Sequence, residues 1–208
     1  NLDKGQISGT DQNAKEYYHR RWSRNLHFKS TVLDFGITPE LNISGFTTNS
    51  FSYKSSPYIF AGVSIFKFNP QAEYNGEWVN LQPIGTEGQR MNKYADRRYK
   101  LVQIGIPMGA GWKYSLGKNM NIGFEISARK TFTDYLDDVS TTYVDPKDLL
   151  LNGGDIAVKL SNRTGEVNDE MIEYTEEDMR GSPDAKDWYY FVGFTFSYSF
   201  LPLGCFSL

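Results

Sequence analysis

The sequence predicts an all-β chain, an antiparallel transmembrane β-barrel, and three observations carry that expectation. First, the stretch Tyr99 to Thr133 alternates apolar and polar residues over two arms joined at Gly117-Lys118-Asn119. Val102, Ile104, Ile106, Met108, Ala110, Trp112, Tyr114 and Leu116 share one face of the first arm, because side chains alternate along a strand. Met120, Ile122, Phe124, Ile126, Ala128 and Phe132 share one face of the second, interrupted by Lys130. Second, each arm exceeds the roughly 9–11 residues that a tilted strand needs to cross a bilayer, whereas strands of soluble proteins average about 5–6. Third, the opposite face mixes glycines with Lys113, Glu125 and Arg129. Small and mutually neutralising side chains suit a narrow lumen without an apolar core.

Taken in order, residues 1–25 are polar, with Gln6-Ile7-Ser8-Gly9 as the end of a strand and Tyr17, Tyr18, Arg20, Arg21, Trp22 and Arg24 clustered. A solvated loop near a membrane interface accounts for that cluster more simply than an anion-reading patch. His27 to Ser44 reads as one long strand with Thr31, Leu33, Phe35, Ile37, Leu41 and Ile43 on one face and Asp34 and Glu40 on the other. Pro39 removes a ladder donor and marks a bulge or an end of pairing. Pro57 to Phe68 is the next strand. A loop over 69–98 contains Asn75-Gly76, a turn dipeptide that predicts a small hairpin. After the central hairpin an acid-rich loop spans 134–187, and Trp188 to Phe200 alternates as a final strand.

Composition limits the alternatives. The chain has 208 residues, enough for one domain, here a single barrel domain with long loops at 1–25, 69–98 and 134–187. Its mean hydropathy is -0.51, and it has no run of about 18 apolar residues for a membrane helix. Alternation keeps a membrane barrel's average hydropathy low. The 14 Tyr and 14 Phe suit interfacial belts, and the net charge of -3 offers no basic footprint for nucleic acid. Cys205 is the sole cysteine, which excludes an intrachain disulfide, and no cofactor site is expected. Leu203-Gly204-Cys205 lies at the wrong end to be a lipidation signal.

Five strands are legible, whereas bacterial barrels have even numbers from about eight upward. The expectation is an eight-stranded full protein whose N-terminal strands are missing from this sequence, which starts at Asn1 at a processed or truncated point. Short connections fall on one side and long ones on the other, which puts the C-terminus on the periplasmic side of an outer membrane.

Asp34, Glu40, Gln103, Lys113, Glu125 and Arg129 form an inward set. In a narrow barrel they act as a salt-bridge plug rather than an ion path, since side chains fill such a lumen. His27 beside Ser23 or Ser30 is the only candidate for a lipid hydrolase, and no orienting third group follows from the spacing, so no enzyme is expected. Asp134, Asp137, Asp138, Asp145 and Asp148, and the run Glu170, Glu173, Glu176, Glu177 and Asp178, lack calcium-loop spacing and read as solvated acidic loops.

Several motifs carry a resemblance across nearly the whole chain. They are Arg24-Asn25-Leu26-His27-Phe28, Tyr58-Ile59-Phe60-Ala61-Gly62, Phe68-Asn69-Pro70, Tyr74-Asn75-Gly76, the segment Leu81 to Gln89, the segment Arg129 to Ser140, and Asp187-Trp188-Tyr189. Together they resemble the PorG-type outer-membrane β-barrel family of Bacteroidota, the DUF6089 family. The resemblance implies a non-enzymatic subunit of the type IX secretion system, which in gliding species also serves motility. Its implied partners are the periplasmic ring subunits, a PorK-like lipoprotein and a PorN-like protein, together with outer-membrane lipid. Docking residues concentrate in loops, which makes Gly85, Thr86, Glu87, Gly88, Gln89, Asp134, Tyr135, Asp137 and Asp138 candidate partner contacts. Loop length puts them on the outer side, away from a periplasmic ring. Either the orientation rule fails here, or the ring contacts use the short turns and the tail. Two rival functions are a barrel enzyme acting on lipid and a soluble lipocalin-like carrier with its faces reversed.

Overall fold

The computed structural model describes residues 24–48, 52–117, 119–167 and 171–199. The features assigned to Gln6–Gly9, to Tyr17–Trp22, to Ser23, and to Glu170, Phe200 and Cys205 lie outside them. The strands in chain order are β1 (Lys29–Ser30), β2 (Leu33–Ile37), β3 (Glu40–Asn42), β4 (Ser55–Ala61), β5 (Val63–Lys67), β6 (Pro70–Tyr74), β7 (Glu77–Asn80), β8 (Val102–Gly117), β9 (Met120–Thr131) and β10 (Trp188–Tyr198). Among the described residues one α-helix, α1 (Pro146–Ser161), precedes β10. The chain divides into two compact units, one made of 33–67, 102–133 and 186–208, the other of 1–32, 68–101 and 134–185.

The first unit is an antiparallel sheet in which each pass lies beside the next in sequence: β2 with β3, β4 with β5, then β8, β9 and β10. The single strand expected over His27–Ser44 is broken. β2 and β3 are separated at Thr38-Pro39, and β1 belongs to the other unit's sheet. The partner pass breaks in step at Gly62, where an added Cβ would lie 2.0 Å from the Ile37 carbonyl oxygen. Only glycine permits that approach. The ladder to β8 keeps its register through that point, from Ala61 opposite Met108 to Ser64 opposite Gly105, and Gly62 N donates to Pro107 O at 2.9 Å. Pro107 stands opposite Gly62 and has no N–H to return that bond, so the ladder lacks one hydrogen bond where β4 gives way to β5.

The two faces differ as the alternation predicts. Ile104 is 59% exposed, Phe124 40%, Phe35 76% and Phe194 79%, whereas Ser56, Ser64, Ser127 and Thr131 on the other face are buried. Tyr58, Phe60 and Phe66 add aromatic rings to that buried face. The sheet curls toward it, for Tyr189 on the edge strand β10 donates to Asp34 Oδ2 on the opposite edge strand β2 at 2.6 Å. Flat strands spaced by about 4.8 Å would hold those edges too far apart to touch. The described strands thus form a curled half-barrel with its apolar side outward.

The second unit holds a three-stranded sheet ordered β1, β6, β7. Asn75 and Gly76, with φ of 52° and 82°, make the two-residue turn of the hairpin expected inside 69–98. Within the expected loop 134–187 the chain instead forms α1. Asp145 caps it by accepting from Lys147 N at 2.7 Å, Pro146 occupies its first turn, and Gly154 interrupts it with φ of 78°. Leu149 and Ala157 pack with Met91, Tyr94 and Val144, and Leu160 packs with Ala72 and Leu81.

Candidate functional site

Two groups of side chains carry the chemistry read from the sequence, one in each unit. On the buried face of the curled sheet, alternation turns every second residue of β2, β8, β9 and β10 inward. Arg129 Nε lies 3.4 Å from Asp34 Oδ2, which also accepts from the Tyr189 hydroxyl, and Arg129 further donates to the Ser127 hydroxyl. Lys113 Nζ sits 2.7 Å from Glu40 Oε2 and 4.9 Å from the centroid of Tyr58. Glu125 accepts from the Tyr58 hydroxyl at 3.2 Å. Asp34, Glu40, Lys113, Glu125 and Arg129 are therefore brought to one face, in two ion pairs and two tyrosine hydrogen bonds. Tyrosines supply the partners that charge pairing alone did not reveal. Tyr58 and Tyr189 were legible only as members of alternating strands, without a signal for their hydroxyl partners.

In the second unit the segments Gly85–Gln89 and Asp134–Asp138 meet around a buried ion pair. Arg180 Nη1 donates to Glu87 Oε1 at 3.0 Å and to the Asp138 carbonyl at 2.7 Å, and Nε reaches the Ser161 carbonyl. Glu87 Oε1 also accepts from Ser140 N, and Oε2 from Thr141 N and Oγ1, so both oxygens are engaged. Asp138 accepts from Thr86 Oγ1 and from the Tyr99 hydroxyl, each at 2.6 Å. Asp134 Oδ2 accepts from Ser140 Oγ at 2.7 Å, and Asp137 Oδ1 accepts from Val139 N at 3.0 Å. Tyr135 stacks on Tyr99 with centroids 4.6 Å apart, and Tyr99 stacks on Phe68. Arg97 ties the Glu87 carbonyl to Thr142.

Burial sets the electrostatics of this cluster. It raises the Asp138 pKa from 3.8 to about 6, against the pull of Arg180 and the hydrogen bonds from Thr86 and Tyr99. Burial and then the charge of Asp138 push the Tyr99 phenol far above its ordinary range, so it stays a donor. Burial opposes the Arg180 cation, and Glu87 and Asp138 outweigh it and raise its pKa. The cluster holds backbone segments together, and it presents Gly85, Thr86, Glu87, Gly88, Gln89, Asp134 and Asp138 as buried residues, with Tyr135 and Asp137 half-buried. Arg180 is the residue the sequence did not single out; it lies 93 positions from Glu87, and no local pattern links the two.

The remaining candidates are dispersed. His27 meets Trp78 edge-on with centroids 6.5 Å apart. Among the described residues no group of three or more His, Cys, Asp or Glu side chains is placed to hold a metal ion. Asp145 serves as the cap of α1, Asp178 accepts from Thr175, and Glu176 pairs with Lys93 at 2.7 Å.

Neither the curated proteins nor the solved structures contain a match to this chain. A family model described as Domain of unknown function (DUF6089) matches residues 1–152.

Proposed function

Because the chain belongs to the DUF6089 family, we propose that it is the non-enzymatic barrel subunit its motifs resemble. It would be a closed, eight-stranded outer-membrane barrel in the type IX secretion machinery, serving gliding motility where that occurs. The observation that carries this reading is the inversion of the sheet. Leu33, Phe35, Ile65, Ile104, Phe124 and Phe194 lie exposed, while two ion pairs lie on the inward face. In water such a face would be a large apolar patch. Against acyl chains it is the stable arrangement, with the polar groups satisfied inside.

A lumen filled by Asp34, Arg129, Tyr189, Lys113 and Tyr58 suits anchoring rather than conduction. Since Thr86, Glu87, Gln89 and Asp138 are buried, their part in partner contact is to hold the outer segments in shape. The docking of a PorK-like lipoprotein and a PorN-like protein falls to the short-turn end, around 45–54 and 117–119, which is periplasmic on the loop-length rule. A soluble carrier would need Ile122 and Phe124 in its interior, and both are on the exposed side. Co-purification of the tagged full-length protein from detergent-solubilised outer membranes tests the proposal. Recovery of the ring lipoprotein is expected, and its absence from an otherwise intact preparation overturns the anchoring role.

A further inference from the structure

The outward face of the curled sheet carries a charge pattern that anchoring does not use. Among the described strand residues of that face only two are charged, and both are cations: Lys67, which ends β5, and Lys130, next to last in β9. β5 leads into the connection 68–101 and β9 into 134–187, so both lysines stand at the end from which the long connections leave. The other end of the same face presents neutral Trp112, Tyr114 and Tyr198.

Each ammonium rises from apolar surroundings. Lys130 pairs across the ladder with Ile106 on one side and Trp188 on the other, and its Nζ lies 5.9 Å from the Trp188 ring centroid. Lys67 pairs with Leu33 and Val102. Neither forms an ion pair within the described residues. A lysine on a lipid-facing strand costs roughly 2–4 kcal/mol at mid-bilayer and about 0–1 near the interface, which places both at headgroup height. At that height a lysine stem covers apolar surface while its ammonium reaches the headgroups. An interface needing only polarity would accept either sign. Among the described strand residues of this face, two cations without a carboxylate at one end and no charge at the other match an anionic headgroup confined to one leaflet.

We propose that Lys130 with Trp188, and Lys67 on the far side of β8, bind separate phosphates of a diphosphorylated lipid in the leaflet on the long-connection side. The proposal rests on the membrane-barrel reading given above. The test places the full-length protein in phosphatidylcholine vesicles containing diphosphorylated lipid A, or the same lipid with its phosphates removed. Native mass spectrometry then reads the lipid retained, and heat-modifiable gel mobility reports folding. The wild type should retain the phosphorylated lipid preferentially. K130Q and K67Q should each lower retention about fivefold and the double variant about thirtyfold, while K130R keeps it. Equal retention of the dephosphorylated lipid by the wild type, or undiminished retention by the folded double variant, overturns the proposal. A protein that inserts without any preference overturns this site alone. One that folds yet enters no vesicle overturns the membrane reading as well.

Discussion

Glu87, Asp138 and Arg180 are all buried, so two carboxylates share one guanidinium in a site closed to water. Burial, with a smaller push from Glu87, raises the Asp138 pKa from 3.8 to about 6. For a raised carboxylate the stabilising contribution is complete below about pH 3.8 and is lost as the pH rises through about 6. The segments around 85–90 and 134–141 should therefore be held more tightly at pH 5 than at pH 7.5, by on the order of 2 kcal/mol. Hydrogen exchange, corrected for the pH dependence of the chemical step, measures it. Asp138→Asn should flatten the profile, and an unchanged profile in that variant would assign the effect elsewhere. The sequence offered Glu87 and Asp138 as loop chemistry and missed their burial. A contact between Glu87 and Arg180 depends on the path of the whole intervening chain, which residue spacing does not encode.

At the scale of elements, β8 and β9 were legible because their alternation runs unbroken, and the β6–β7 hairpin because Asn75-Gly76 selects one turn. Pro39 announced its break. Gly62 did not, since its role comes from the Ile37 carbonyl of a neighbouring strand. Gly62→Val should block pairing of β2 with β5 and abolish the heat-modifiable folded band. A normal band would show that the approach of the Ile37 carbonyl tolerates a side chain. Helix α1 had a usable start in Asp145-Pro146, but Gly153-Gly154 divides its apolar periodicity, and the surrounding acids favoured a loop. Phe194 offers a test of what the exposed face meets. Phe194→Arg should destabilise the protein in vesicles by about 2–4 kcal/mol on urea unfolding. A change within about 0.5 kcal/mol, normal for a residue facing water, would contradict it.

For the whole molecule, two compact units arise from an alternating sheet and from the segments between its strands. The sheet's physical logic is that of an inverted protein, with ion pairs and serines within and Ile, Phe and Val without. Alternation separated the two faces, because a period of two assigns every residue of a strand to one of them, and strand length with the charged, glycine-bearing face pointed to which side turns inward. What covers the outer face decides the account. The most direct measurement attaches a fluorophore in turn at Phe124, Phe194, Ser127 and Glu125 of the full-length protein and adds vesicles with brominated acyl chains. Strong quenching at Phe124 and Phe194, with little at Ser127 and Glu125, is the predicted result. Quenching at none of the four, with the folded protein remaining in the aqueous phase, would contradict it.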